Sequence, residues 1–250
     1  MVLLASGVSG LALPQANARS VEFSDWTWLV RRSDGLEGPG PNRFMDNQRT
    51  VWLDLNSHLH LKVWVRDKRA YAAEVVLDRS LGYGTYIVES IGRIDDMDPQ
   101  VVFGMFTYDD SPAYAHREID IEYGRFGDPA STNAQFVVQP FDIEENRYRF
   151  EVRQQGDYLT HAFRWDENGI RFASFHGHIA EALVREGFSA VTERQVAALW
   201  DYPGDVPPPG NERFRINLWL YQSALPSRDH EVVLSSFAFV PAGAPVKTHN

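Results

Sequence analysis

From Val51 onward the pattern of apolar and polar residues is strand-like, with period-two alternation, the spacing of strands that bury one face, clearest at its start. Segments 51–55 and 59–65 show it first, and Asn56-Ser57 between them predicts a tight turn and a hairpin. Further strand-like segments follow at 72–77, 84–91, 101–108, 118–123 and 134–139. They continue at 148–153, 159–165, 170–175, 214–221 and 232–240. About a dozen strands separated by turn residues predict an all-β sandwich or barrel.

One stretch departs from this pattern. Segments 180–188 and 192–200 read as two short helices, the second opened by the capping-box sequence Thr192-Glu-Arg-Gln195. Asp205-Val-Pro-Pro-Pro-Gly210 then forces a loop, because three prolines fix φ and donate no hydrogen bonds. Residues 179–212 are therefore expected to form an insertion between two strands. No internal repeat or interdomain linker is visible, so 19–250 is expected to be a single domain.

Residues 2–13 are mostly apolar and small, and Ala16-Asn17-Ala18 follows them. That pattern resembles a secretory signal, residues 1–18, cleaved after Ala18, so the expected location is secreted or periplasmic. The run is too short to span a bilayer, which takes about 20 residues. No Lys or Arg precedes it.

The chain carries 24 basic and 34 acidic side chains, a formal net charge of −10. It lacks a basic stripe to meet phosphate, so neither nucleic acid nor an anionic membrane is an expected partner. Cysteine is absent, which excludes disulfides, thiolate metal sites and thiol nucleophiles. Aromatic residues make up 13%, enough for a face that stacks on flat uncharged ligands as well as for core packing.

The chemistry concentrates in His116-Arg-Glu-Ile-Asp-Ile-Glu-Tyr123. On a strand, Glu118, Asp120 and Glu122 share one face, while Ile119 and Ile121 point to the core. Carboxylates this close repel, so at least one should hold its proton above the usual range. One ionised and one protonated carboxyl suit retaining glycoside hydrolysis. There, one attacks the anomeric carbon and the other, about 5–5.5 Å away, protonates the leaving oxygen. An acidic strand face in water and a calcium ligand set are the other readings of the same residues. Asn217 and Trp219 share one face of a later strand. Sugar rings stack on indoles, and their hydroxyls pair with amides and carboxylates. His58-x-His60 and His176-x-His178 each align two imidazoles. With no further ligand visible they are read as surface or turn histidines, and no metal site is expected.

Glu118-Ile-Asp-Ile-Glu122 resembles the Glu-x-Asp-x-Glu signature of glycoside hydrolase family 16. The form is the unbulged one of bacterial lichenases and plant xyloglucan transglycosylases. Ala73-Glu74, Gly82-Tyr-Gly84 with Tyr86, Phe106-Thr-Tyr108 and Asn217-Leu-Trp219 are similar to lichenase blocks in the same order. Asn42, in Gly38-Pro-Gly-Pro-Asn42, stands where those enzymes carry a sugar-binding Asn. The likeness runs from about residue 22 to residue 241. It implies a concanavalin A-like jelly roll of two curved antiparallel sheets, with a cleft on the concave face. It also implies a secreted, retaining, licheninase-like endo-β-glucanase that needs no cofactor and meets its polysaccharide as a monomer. By the same resemblance, Glu118 would be the nucleophile and Glu122 the general acid/base. Asp120 would balance protons and position the nucleophile. Asn42, Glu74, Phe106, Tyr108, His116, Asn217 and Trp219 would line the cleft.

Three departures from the lichenases stand out. His116 occupies the place of a Trp, and Val137 and Gln139 replace an Asn and a Tyr that face sugar. The 179–212 insertion is longer than its lichenase equivalent. Some lichenase-like proteins carry a structural calcium on the convex face, and the sequence leaves that open. Two other activities fit the same residues. One is a non-catalytic carbohydrate-binding protein on this fold, slightly favoured by His116. The other is a transglycosylase.

Overall fold

The period-two segments become strands because each one sets branched and aromatic side chains against a shared core. The computed structural model describes residues 18–244. The leader expected at 1–18 lies outside the described residues except for Ala18. One antiparallel sheet runs in the order β1 (Ser20–Phe23), β2 (Trp26–Val30), β6 (Ala73–Leu77), β15 (Arg213–Leu220), β8 (Val101–Tyr108), β9 (Ile119–Gly124), β10 (Ala134–Val138) and β11 (Arg147–Phe150). The other runs β14 (Val196–Asp201), β13 (Gly169–His176), β12 (Tyr158–Asp166), β7 (Gly84–Ile91), β16 (His230–Pro241), β4 (Leu59–Arg66) and β3 (Val51–Leu53). A short β5 (Arg69–Tyr71) pairs with β4.

The sheets face each other over one core. Ile119, Ile121 and Tyr123 of β9 enter it from the first sheet, beside Val101, Phe103 and Met105 of β8. Phe163, Trp165 and Phe172 enter from the second. Tyr86 joins the two layers, its ring centroid 4.7 Å from Phe163 and 5.2 Å from Phe214. Two large antiparallel sheets over one core make the all-β jelly-roll sandwich that was expected. On β9 the alternate residues Asp120 and Glu122 stand on the face away from the core.

The expected hairpin at 51–65 forms, with Ser57 at φ 62° in its turn. The strands β1, β2, β5 and β14 lie outside the set expected from sequence. β1 and β2 make a further hairpin through Ser24 and Asp25, both at positive φ, a turn less marked in sequence than Asn-Gly. The helix expected at 192–200 is absent. Thr192 and Gln195 do meet, Thr192 N donating to Gln195 Oε1 at 3.1 Å, but only one 3-10 turn follows. The next residues form β14, an edge strand paired with β13. The free edge of β13 supplies a ladder, and alternation of inward Ala198 with outward Leu199 suits it; together these outweigh the helix propensity of the alanines.

The 179–212 segment is therefore a composite. It contributes α1 (Ala180–Glu186), the edge strand and a proline loop. α1 lays Ala180 and Leu183 over Ile87, Ala162, Ala173 and Phe175 on the outer face of the second sheet. Its first amide, Ala180 N, donates to Glu89 Oε1 at 2.8 Å.

Candidate active site

Antiparallel pairing aligns a row of side chains across the first sheet. Glu74 on β6 lies opposite Asn217 on β15, and Asn217 opposite Gly104 on β8. Gly104 lies opposite Glu122 on β9, Glu122 opposite Gln135 on β10, and Gln135 opposite Arg149 on β11. A second row sets Arg215 beside Phe106, and Phe106 beside Asp120. Glu118 sits one step further along, at the mouth of β9.

These rows floor a cavity of about 280 Å³. Glu118, Asp120, Glu122, Glu74, Phe106, Tyr108, Asn217 and Trp219 all line it. Arg31, Arg215, Gly38 and Pro39 complete the wall. A larger hollow of about 820 Å³ lies on the other sheet beside α1, away from the acid row.

Two of the three acids are held by amide neighbours. Gln135 Nε2 donates to Glu122 Oε2 at 2.6 Å, and Arg149 Nη1 donates to Gln135 Oε1 at 3.0 Å. Gln139 Nε2 donates to Asp120 Oδ2 at 3.0 Å. Burial pushes all three carboxyls above their ordinary values. Glu118 rises to about 8, through burial first and the charge of Glu122 second, against the pull of Arg215. Asp120 lies well above its usual range, through burial and the charges of both glutamates. Glu122 is raised by burial and held back by its bond from Gln135 and by the charge of Arg149. The trio therefore titrates jointly and keeps at neutral pH a proton that separate carboxyls would release.

Glu74 is wholly buried, and its carboxylate is used by the protein itself. It accepts from Arg31 Nη1 at 3.0 Å, Arg215 Nη1 at 3.3 Å and Asn217 Nδ2 at 3.3 Å. Arg215 lies over the Tyr108 ring, 4.6 Å from its centroid. Arg215 Nε and Asn217 Oδ1 have no protein hydrogen-bond partner, which leaves a donor and an acceptor in side chains that line the cavity. Gly104 makes room for the amide, since a Cβ there would stand 2.6 Å from Asn217 Oδ1. Trp219 is backed by Phe126, Phe44 and Val102.

Two expected cleft residues stand elsewhere. Asn42 does not line the cavity; its Nδ2 donates to Pro39 O and Leu220 O, each at 2.8 Å, and its Oδ1 accepts from Leu220 N. Its amide thus pins the rim loop to the end of β15 and has little left for a ligand. His116 lies behind Tyr108, ring stacked on ring at 4.7 Å, with Nδ1 bonded to Asp109 O at 2.9 Å. Sequence reasoning missed Arg31, Arg215, Gln135 and Arg149. Arg215 precedes Asn217 by two residues on one strand, so the period-two rule contained the signal.

The histidine pairs lie outside the cavity. His58 and His60 each approach Asp54 at 3.4 Å, and His178 Nε2 bonds to Ser90 O. Among the described residues, no group of three or more His, Cys, Asp or Glu side chains is arranged to hold a metal ion. No helix among them is long and apolar enough to cross a membrane.

No protein-family model matches the sequence, and no curated protein matches it. Solved structures do resemble the fold. A prokaryotic β-1,3-1,4-glucanase (lichenase) from a mouse hindgut metagenome is 19% identical, with TM-score 0.58, covering 86% of this chain and 92% of its own. A Bacillus licheniformis β-glucanase is 17% identical, with TM-score 0.60, covering 90% and 99%. An immunostimulatory antigen and pseudo β-1,3-glucanase of Mycobacterium tuberculosis is also 17% identical, with TM-score 0.60, covering 86% and 91%. At these identities the likeness establishes the sandwich that all of them share.

Proposed function

We propose that this chain is a secreted glycoside hydrolase that cleaves β-linked glucan-type polysaccharide internally, with retention of configuration. The observation that carries the reading is the trio Glu118, Asp120 and Glu122, the first just before β9 and the other two on one face of it, lining a cavity that also holds Asn217 and Trp219. In the first step, the Glu118 carboxylate bonds to the anomeric carbon as the glycosidic C–O bond breaks. Glu122 gives its proton to the leaving oxygen. In the second, water attacks the same carbon, Glu122 takes its proton, and Glu118 leaves. Glu118 attacks in the fraction of protein in which it has lost its proton, and Asp120 beside it shares in the proton balance of the trio. Two of the similar structures are themselves named lichenase and β-glucanase, which supports this class.

A reducing-end assay tests the reading on barley mixed-linkage glucan, laminarin, xyloglucan, agarose and carrageenan. New ends are expected on a β-glucan, and Glu118→Gln or Glu122→Gln should lower the rate by about three powers of ten or more. Full activity in Glu118→Gln would remove the assignment. The second reading is a carbohydrate-binding protein without turnover. The description of the mycobacterial neighbour as a pseudo-glucanase favours it. Folded protein that binds a glycan array and cuts none of the polymers would establish it.

A further inference from the structure

Glu118 is reached through strained backbone. Tyr114, Ala115, His116 and Arg117 have φ of 54°, 49°, 63° and 50°. Four successive L residues thus occupy the left-handed region, which their Cβ atoms resist. Glu118 then returns to extended backbone at φ −86°. Such a turn persists only where its surroundings over-determine it, and here they can be named.

Arg117 is the centre of the restraint. Its Nη1 donates to Asp109 Oδ2 at 2.8 Å and its Nε to Pro208 O at 2.9 Å. The two charged side chains are 12% and 5% exposed. Asp109 Oδ2 also accepts from Asn211 N at 3.1 Å. Asp109 N donates to His116 O at 2.7 Å, and Thr107 Oγ1 donates to Arg117 O at 2.7 Å. Gly210 permits the fit, since a Cβ there would lie 2.6 Å from Arg117 Nε and 2.9 Å from Asp109 Oδ2. Pro208, Gly210 and Asn211 belong to the proline loop between β14 and β15. Trp165 Nε1 ties that loop to the core of the second sheet through Pro207 O at 3.0 Å.

We propose that Arg117 is a positioning residue for Glu118, with the proline loop as its abutment. The inference rests on Glu118 being the nucleophile. Arg117 does not line the cavity and acts through the backbone that presents Glu118. Small displacements of a reacting group are costly, about a hundred-fold in rate for 1 Å.

The test compares Arg117→Ala, Arg117→Lys and Glu118→Gln on barley mixed-linkage glucan, with amide hydrogen exchange on the same proteins. Arg117→Ala is expected to lower kcat about a hundred-fold while KM changes less than about two-fold. Arg117→Lys should regain part of kcat, because one donor survives. Exchange at the amides of Asp109 and Arg117 should quicken while the β9 core stays protected. If Arg117→Ala does not fold, Arg117→Lys and Gly210→Ala give the same kcat against KM reading. Unchanged kcat in a folded Arg117 variant, with Glu118→Gln inactive, overturns the positioning role alone. Activity retained in Glu118→Gln overturns the catalytic reading and this inference with it. If the wild type cuts no glucan, exchange decides, and unchanged protection at Asp109 and Arg117 overturns the restraint.

Discussion

Glu118 shows how far burial among like charges reaches into stability. Its folded value is raised from 4.5 to about 8, so between those limits the native state holds a proton that the unfolded chain has released. Stability then falls as pH rises through this window and levels off above it. Asp120 and Glu122 shift in the same direction and add to the slope. The thermal midpoint should therefore drop between pH 5 and pH 8, and Glu118→Gln should flatten that drop. Equal slopes in wild type and variant, followed by circular dichroism, would show that Glu118 titrates normally in the free protein. The acids were legible in sequence because three carboxyls at every second residue have few uses on a strand. Arg31 was not, because its place beside Glu74 depends on β2, a strand that the pattern did not predict. Asn42 sat at a recognisable position, yet its amide is spent on Leu220. Sequence position does not reveal which hydrogen bonds the backbone has already claimed.

Two central strands were read closely from sequence; 84–91 and 101–108 match β7 and β8 residue for residue. Both are buried at nearly every residue, and their ends are marked by turn residues, Gly82 and Gly92 around β7, Asp98-Pro99 and Asp109-Asp110-Ser111-Pro112 around β8. β14 was misread because its alanines are indifferent to environment, and only the neighbouring edge of β13 decides their conformation. The pairing of β7 with β16 offers a direct test at this scale. Gly84 lies opposite Pro241, and a Cβ there would stand 2.4 Å from the Phe239 ring and 2.6 Å from Val240 O. Phe239 packs in turn on Tyr86, the ring that links the sheets. The Val240 carbonyl cannot yield without shifting β16, so Gly84→Ala should destabilise the fold by about 1–3 kcal/mol. Urea denaturation measures this directly. A change near zero would mean that β16 slides freely at its end, against the register described.

At the scale of the whole molecule, charge and site give opposite hints about the substrate. The chain carries a net −10, which repels acidic polymers, while two arginines line the cavity. Those arginines are already matched. Arg31 meets Glu37 and Glu74 at 3.0 Å, and Arg215 meets Glu74 and Asp110 at 3.3 Å. Little positive charge is left for an anionic ligand, so the long-range field should dominate encounter. For a neutral β-glucan there is no charge to steer, and kcat/KM should change less than about two-fold between 50 and 500 mM NaCl. A carboxymethylated glucan should be cut more slowly at low salt, and its rate should climb as salt screens the repulsion. Initial rates on the two polymers across one salt series make the comparison. A rate on the charged polymer that falls with salt would mean that Arg31 and Arg215 leave their carboxylates to bind substrate. The cavity would then have been built for an acidic polysaccharide in spite of the charge around it.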